Sequence, residues 1–202
     1  MGFLIGSWCL SVGMQAAKVD TLSVHSDAMN KEVQVITICP DKAMAGEKCP
    51  VLYLLHGYGG NAGTWLGIKP ELPQIADKEG IIFVCPDGKN SWYWDSPLNK
   101  EYRYETFVSK ELVNYIDKNF TTKVERGGRA ITGLSMGGHG SLWLSIRHKD
   151  VFGGGGSMSG GLDIRPFPNN WEMKKQLGEE ASNKQRWDEH TVINQLDKIK
   201  NW

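Results

Sequence analysis

Neither sign of charge is in surplus: Lys and Arg together number 23, Asp and Glu also 23, and the formal net charge is +0. Without a basic excess the chain has no electrostatic footprint for nucleic acid or an anionic membrane surface, so the expected partner is a small or neutral molecule. Histidine is scarce, at 5, and cysteine scarcer, at 4. No CxxC pair and no Cys/His cluster falls at metal-ligand spacing, so no structural zinc or other cofactor is implied. Beyond Cys9 there remain Cys39, Cys49 and Cys85, an odd number that allows at most one disulfide within the chain. Cys39 and Cys49 flank a polar loop and can pair in an oxidising compartment, whereas Cys85 stands in an apolar run and reads as a buried thiol. Internal repeats, low-complexity tracts and apolar runs long enough to span a bilayer are also missing.

What is present suits one globular domain. The 202 residues are 40% apolar and 23% charged, an ordinary balance. Phe3-Leu-Ile-Gly-Ser-Trp-Cys-Leu-Ser-Val-Gly-Met14, followed by Gln15-Ala16-Ala17-Lys18, has the length and small-residue ending of a secretory leader. That reading assigns residues 1–17 to a signal peptide, 18–202 to the folded domain, and the protein to the periplasm or exterior. The alternative is a buried N-terminal strand or helix.

The chain is organised around Arg129-Ala-Ile-Thr-Gly-Leu-Ser-Met-Gly-Gly-His-Gly140. A short apolar run leads into Gly133-Leu-Ser-Met-Gly137, and Leu142, Leu144 and Ile146 then continue as a buried helix. A GxSxG turn between strand and helix needs glycine two before and two after the serine, because the sharp turn leaves no room for Cβ atoms. It lifts the hydroxyl of Ser135 clear of the backbone and makes that residue the candidate nucleophile. The N–H of Met136 then lies at a helix N-terminus, where it can donate to an oxyanion.

Upstream, Val33-Gln-Val-Ile-Thr-Ile38 reads as a strand. Val51-Leu-Tyr-Leu-Leu55 lacks alternation, as expected of a strand covered on both faces of a parallel sheet. It runs into His56-Gly-Tyr-Gly-Gly60, a loop that can turn the N–H of Tyr58 toward the same oxyanion. His56 reads as a residue that holds this loop. Residues 72–80 predict a short helix with Pro73 in its first turn and Gly80 past its end, 81–85 another buried strand, and 104–119 a helix. Between the last two, Ser91-Trp-Tyr-Trp-Asp-Ser-Pro97 places three aromatic residues in a loop after a strand end, to line a substrate cleft or to pack into the core. After the elbow, 152–161 reads as a glycine-softened strand and turn, and 162–178 as a surface insertion near the cleft. Residues 187–202 predict a helix with Val192, Ile193, Leu196 and Ile199 on one face and His190 on a solvated one.

Leu55-His-Gly-Tyr-Gly-Gly60, Pro86-Asp-Gly88 with the Trp-Tyr-Trp-Asp loop, and Gly133-Leu-Ser-Met-Gly-Gly138 together resemble the esterase D-like branch of the α/β-hydrolases. That branch includes S-formylglutathione hydrolase, tributyrin esterases, feruloyl and acetyl-xylan esterases and the mycolyltransferases. The resemblance implies an α/β fold with a mostly parallel central sheet and helices on both faces. It implies Ser135 as nucleophile, the backbone N–H groups of Met136 and Tyr58 as oxyanion hole, and His56, Gly57, Trp92, Trp94 and Asp95 as substrate-binding residues. The substrate is a small-molecule or polysaccharide-linked ester with a short acyl or hydroxycinnamoyl group, and no metal or cofactor is implied. In this fold the acid and the histidine follow the serine. Neither segment is found after Ser135, so a C-terminally incomplete domain with little or no esterase activity is expected. The competing readings are a carbohydrate- or acyl-binding remnant without catalysis and an acyltransferase on the same scaffold.

Overall fold

The computed structural model describes residues 17–199; the leader expected in 1–17 lies outside them except for Ala17. Strands β1 (Lys18–Ser26) and β2 (Lys31–Cys39) form an antiparallel hairpin. A single turn, α1 (Asp41–Met44), precedes β3 (Val51–Leu55), and then come α2 (Thr64–Ile68), α3 (Leu72–Glu79) and β4 (Ile82–Pro86). Helix α4 (Tyr104–Thr106) passes through a π turn (Phe107–Leu112) into α5 (Val113–Asn119). The elbow strand β5 (Arg129–Gly133) is followed by α6 (Met136–Arg147) and the two-residue β6 (Gly154–Gly155). Helices α7 (Met173–Leu177) and α8 (Lys184–Glu189) precede a closing 3-10 segment (Val192–Ile199).

The sheet order is β1-β2-β4-β3-β5-β6. β4, β3, β5 and β6 run parallel, and β2 joins β4 antiparallel, so the parallel half carries the antiparallel hairpin at one edge. The unalternating runs predicted as doubly covered strands are covered: β4 is buried along its length, and of β3 only Leu52 is partly exposed. One apolar cluster joins Tyr53, Leu55 and Ile131 to the face of α4, the π turn, α5 and α6. A second, smaller one packs Leu54, Phe83 and Cys85 against Trp65, Leu72 and Ala76 of α2 and α3. Gly80 ends α3 in the left-handed conformation, φ 63°, that a side chain disfavours. No helix among the described residues is long and apolar enough to cross a membrane. Cys39, Cys49 and Cys85 are all buried free thiols.

Three local expectations change. β1 was not foreseen, because of its nine residues only Val24 and Ser26 are buried and its alternation is correspondingly faint. The 104–119 helix is not regular: its π turn brings Phe107, Val108, Ser109 and Leu112 all into the core. The terminal helix is two pieces. After α8, side chains take carbonyls that a continuing helix would have used: Thr191 Oγ1 donates to Trp187 O at 2.8 Å, Asn194 Nδ2 to Asp188 O at 2.9 Å and Gln195 Nε2 to Glu189 O at 2.9 Å. The chain tightens to a 3-10 helix, in which residues three apart eclipse. Val192 and Gln195 therefore turn inward, and Ile193, Leu196 and Ile199 share the exposed side.

Glu105 ties the layers on one face of the sheet. Its buried carboxylate accepts from Trp143 Nε1 (2.9 Å), Arg147 Nε (2.8 Å) and His148 Nε2 (2.9 Å), the first two from α6 and the third just past its end. Burial alone would raise its pKa, but the bonds from His148, Arg147 and Trp143 outweigh that and hold it down at about 2. Glu105→Ala leaves a buried indole N–H and a cation without their acceptor, and is expected to destabilise the fold by about 3 kcal/mol in urea unfolding. A loss under about 1 kcal/mol would show that Glu105 does not carry this contact.

Candidate active site

β5 ends at Gly133 and α6 begins at Met136, so Ser135 has to turn the chain in two residues. It does so at φ 54°, ψ −113°, a conformation that a non-glycine residue adopts only under constraint. The glycines are required by contact. A Cβ on Gly133 would overlap the Gly137 backbone, and one on Gly137 would overlap the carbonyls of Leu55 and His56. Leu134 N–H donates to Leu55 O (3.2 Å), Ser135 N–H to Met158 O (2.8 Å) and Gly137 N–H to Leu134 O (2.8 Å). The serine itself is exposed.

The loop after β3 lies against this elbow. A Cβ on Gly57 would stand 3.3 Å from Leu134 O and 3.5 Å from Ser135 Cβ, so the backbone at 57–58 runs beside the serine. His56 holds the loop from beneath and is 1% exposed. Gly88 N–H donates to its Nε2 at 2.9 Å, so the ring proton is on Nδ1, which donates to Gly57 O at 2.7 Å. Tyr93 OH donates to His56 O at 3.2 Å and Asn90 Oδ1 accepts from Gly59 N–H at 2.9 Å. No described residue takes up the N–H of Tyr58 or of Met136, the first residue of α6.

Ser135 opens into a cavity of about 290 Å³ whose walls include Tyr58, Trp92, Gly161, Ile164, Phe167 and Trp171. Four of these six are aromatic. The 162–178 stretch, predicted as an insertion beside the cleft, supplies the outer wall, and Trp92 Nε1 donates to Trp171 O at 3.2 Å to hold that wall to the 91–97 loop. Of the loop residues put forward as substrate-binding, the structure brings only Trp92 to the serine. Trp94 is fully buried and donates its indole N–H to His139 Nε2, and Asp95 accepts from the N–H of Thr106 at 2.9 Å and borders a different cavity. His56 and Gly57 shape the loop and do not line the pocket. Sequence reasoning missed the wall residues Ser159 and Gly160, which sit in the glycine-rich run, and Ile164, Phe167, Trp171 and Met173, whose stretch carries no periodicity, only prolines and asparagines that mark irregular chain.

None of the five histidines lines this cavity. His25 pairs with Glu32 on the β1–β2 hairpin, His148 with Glu105, and His56 and His139 are buried in hydrogen bonds. His190, expected on a solvated face, is instead half-buried: it caps α8, and its ring stacks on Trp143 at 5.4 Å and lies edge-on to Trp94 at 5.5 Å. It borders a separate, larger cavity of about 920 Å³ together with Glu105 and Arg147. Among the described residues, no group of three His, Cys, Asp or Glu is arranged to hold a metal ion.

A parallel sheet whose inner strand ends in a strained serine at a helix N-terminus defines an α/β-hydrolase fold. The chain belongs to the esterase family described as "Putative esterase", whose profile matches residues 26–201. It is 29% identical over 151 residues to an acetyl esterase of Caldicellulosiruptor saccharolyticus, covering 71% of this chain and 56% of that protein. It is 34% identical over 124 residues to an endo-1,4-beta-xylanase/feruloyl esterase of Xylanibacter ruminicola, covering 57% of this chain and 17% of the relative. The chain thus spans about half the length of the first relative and a small part of the second. Among solved structures, the fluorophosphonate-binding serine hydrolase FphF of Staphylococcus aureus superposes with a TM-score of 0.80 at 20% identity, over 92% of this chain and 74% of FphF. That likeness is one of fold.

Burial pushes the pKa of His139 down to about 4, against the opposing hydrogen bond to Gly161 and with a further push from His190, whose own pKa burial also lowers. An unfolded histidine takes up its proton near the ordinary value of 6.5, before the folded one does. The stabilisation is therefore complete above pH 6.5 and is lost as the pH falls toward 4. Urea midpoints should drop steadily between pH 7 and pH 4.5, and less steeply in His139→Gln; a flat profile over that range would contradict the assignment.

Proposed function

We propose that this domain is the acyl-binding half of a serine carboxylic-ester hydrolase that takes short or single-ring aromatic acyl groups. The observation that carries this reading is the small aromatic-walled cavity opening on Ser135. Ser135 Oγ attacks the ester carbonyl and gives up its proton to a base, and the oxyanion that forms accepts from the N–H groups of Met136 and Tyr58. Collapse of that intermediate expels the alcohol and leaves an acyl-serine, which water hydrolyses by the reverse sequence. At about 290 Å³ the cavity sits at the lower limit of ordinary ligand pockets, which suits an acetyl or a planar hydroxycinnamoyl group better than a long acyl chain. Acetyl and feruloyl esterase relatives support that range. Exposed Phe167 and Trp171 at the outer wall offer apolar faces to a bulky alcohol portion such as a sugar.

The base and its orienting acid are not supplied by residues 17–199 in this reading, since every histidine is placed elsewhere. The 202-residue chain on its own is then a very weak esterase with a complete nucleophile and oxyanion site. The test is hydrolysis of p-nitrophenyl acetate by the chain and by Ser135→Ala, without and with added imidazole as a diffusible base. Without imidazole the two should hydrolyse at nearly the same rate. With it, the unaltered chain should exceed Ser135→Ala by tenfold or more. A serine-dependent turnover on the order of 10 per second without imidazole would overturn the missing-base reading. No serine-dependent rate under either condition would overturn the nucleophile assignment.

A further inference from the structure

His139 is fully buried one turn into α6, four residues beyond Ser135, and it bridges three segments that are distant in sequence. Trp94 Nε1, from the 91–97 loop, approaches its Nε2 at 2.9 Å. An indole N–H can only donate, so Nε2 carries no proton. The proton is then on Nδ1, which lies 2.8 Å from Gly161 O, and a carbonyl can only accept. The two partners together allow a single state of the ring, neutral and protonated at Nδ1.

Each bond leads to the Ser135 cavity. Gly161 is part of its wall, and a Cβ there would stand 3.7 Å from the Trp92 ring, so the carbonyl held by His139 belongs to the residue that backs Trp92. Trp92 lies edge-on to the imidazole at 5.2 Å and stacks on Trp94 at 5.5 Å. Trp92 and Tyr93 both sit at positive φ, 58° and 60°, so this stretch of loop is under backbone constraint and depends on its surroundings for its shape. The close contact of Gly138 with Gly160 fixes the same wall against α6 from the other side. Among the described residues, no other side chain joins the elbow helix, the aromatic loop and the 159–161 wall by hydrogen bonds.

We infer that His139 is a positioning residue for acyl binding: by donating to Gly161 O and accepting from Trp94, it sets the separation of the Gly161 wall from Trp92 and so the width of the slot beside Ser135. Its N–H donates to Ser135 O at 2.9 Å within the helix, but its ring neither lines the cavity nor bonds the Ser135 hydroxyl, and acts through Gly161 and Trp92. The role rests on the proposed esterase reading only for what fills the slot; the placement of the wall is a separate matter.

Two near-isosteric variants divide the bonds. In His139→Asn the side-chain amide N–H falls near the Nδ1 position and keeps the donor to Gly161 while losing the acceptor for Trp94. In His139→Gln the amide oxygen reaches the Nε2 position and keeps Trp94 while losing Gly161. The experiment is a 1H–15N NMR spectrum of the 202-residue chain and both variants, with a titration of methyl ferulate into each. The unaltered chain should show a histidine ring with Nδ1 protonated and Nε2 bare at pH 7. His139→Gln should shift the Gly160, Gly161 and Ser135 amides and the Trp92 indole, and weaken methyl ferulate about tenfold. His139→Asn should leave those signals near their original places and hold affinity within about threefold, whatever each variant loses in urea stability. Equal effects of the two variants, or effects that simply follow stability, would overturn the inference. If the unaltered chain fails to bind methyl ferulate, the aromatic-acyl reading fails, and the Gly161 and Trp92 signals decide the role of His139 alone.

Discussion

A serine at φ 54° is held against a local cost on the order of 1 to 3 kcal/mol, and it stays there only because its neighbours leave no other path. The restraint comes from several elements at once. β3 accepts the Leu134 N–H through Leu55 O, the segment after β6 accepts the Ser135 N–H through Met158 O, and neither glycine tolerates a methyl group, Gly133 because it meets the Gly137 backbone and Gly137 because it meets the carbonyls of Leu55 and His56. Those contacts come from the two sides of β5 in the sheet, β3 on one and the segment after β6 on the other. The His56–Gly60 loop, the aromatic wall and the N-terminus of α6 are all placed relative to that one turn.

Around it, polar groups that a reader of the sequence would count as catalytic candidates work as fasteners. His56 bridges Gly57 and Gly88 from below the loop that follows β3, and His139 bridges Trp94 and Gly161 behind the pocket wall. In each ring one donor and one acceptor place a proton on Nδ1 and leave Nε2 to accept. A ring so engaged has no free lone pair to offer a serine hydroxyl. The arrangement gains a rigid pocket wall, and in the proposed esterase reading general-base chemistry comes from another group.

Much of this was legible in the sequence, and for reasons that can be named. β3 and β4 announce themselves as short unalternating apolar runs, because strands covered on both faces have no polar side to show, and β5 is marked by Ala130 and Ile131 leading into the glycine turn. Ser135, and the glycines two residues to either side, could be identified since a sharp turn admits few residue types. Less visible was anything that depends on contacts far apart in the chain. Trp92 and Trp94 are two residues apart in one loop, yet the constrained backbone sends one to the pocket and the other to His139, a division that no local pattern encodes. Ile193, Leu196 and Ile199 fit an inward-facing α-helix by spacing. Side-chain bonds from Thr191, Asn194 and Gln195 shorten the turn and put them outside.

The most direct test of the central claim, that this turn presents Ser135 as an acyl-accepting nucleophile, is peptide mass spectrometry of the 202-residue chain after exposure to a fluorophosphonate with and without imidazole. The account predicts one phosphonyl adduct, on the peptide that contains Ser135, forming slowly by itself and faster when the base is added. An adduct confined to another residue, or none under either condition, would contradict it.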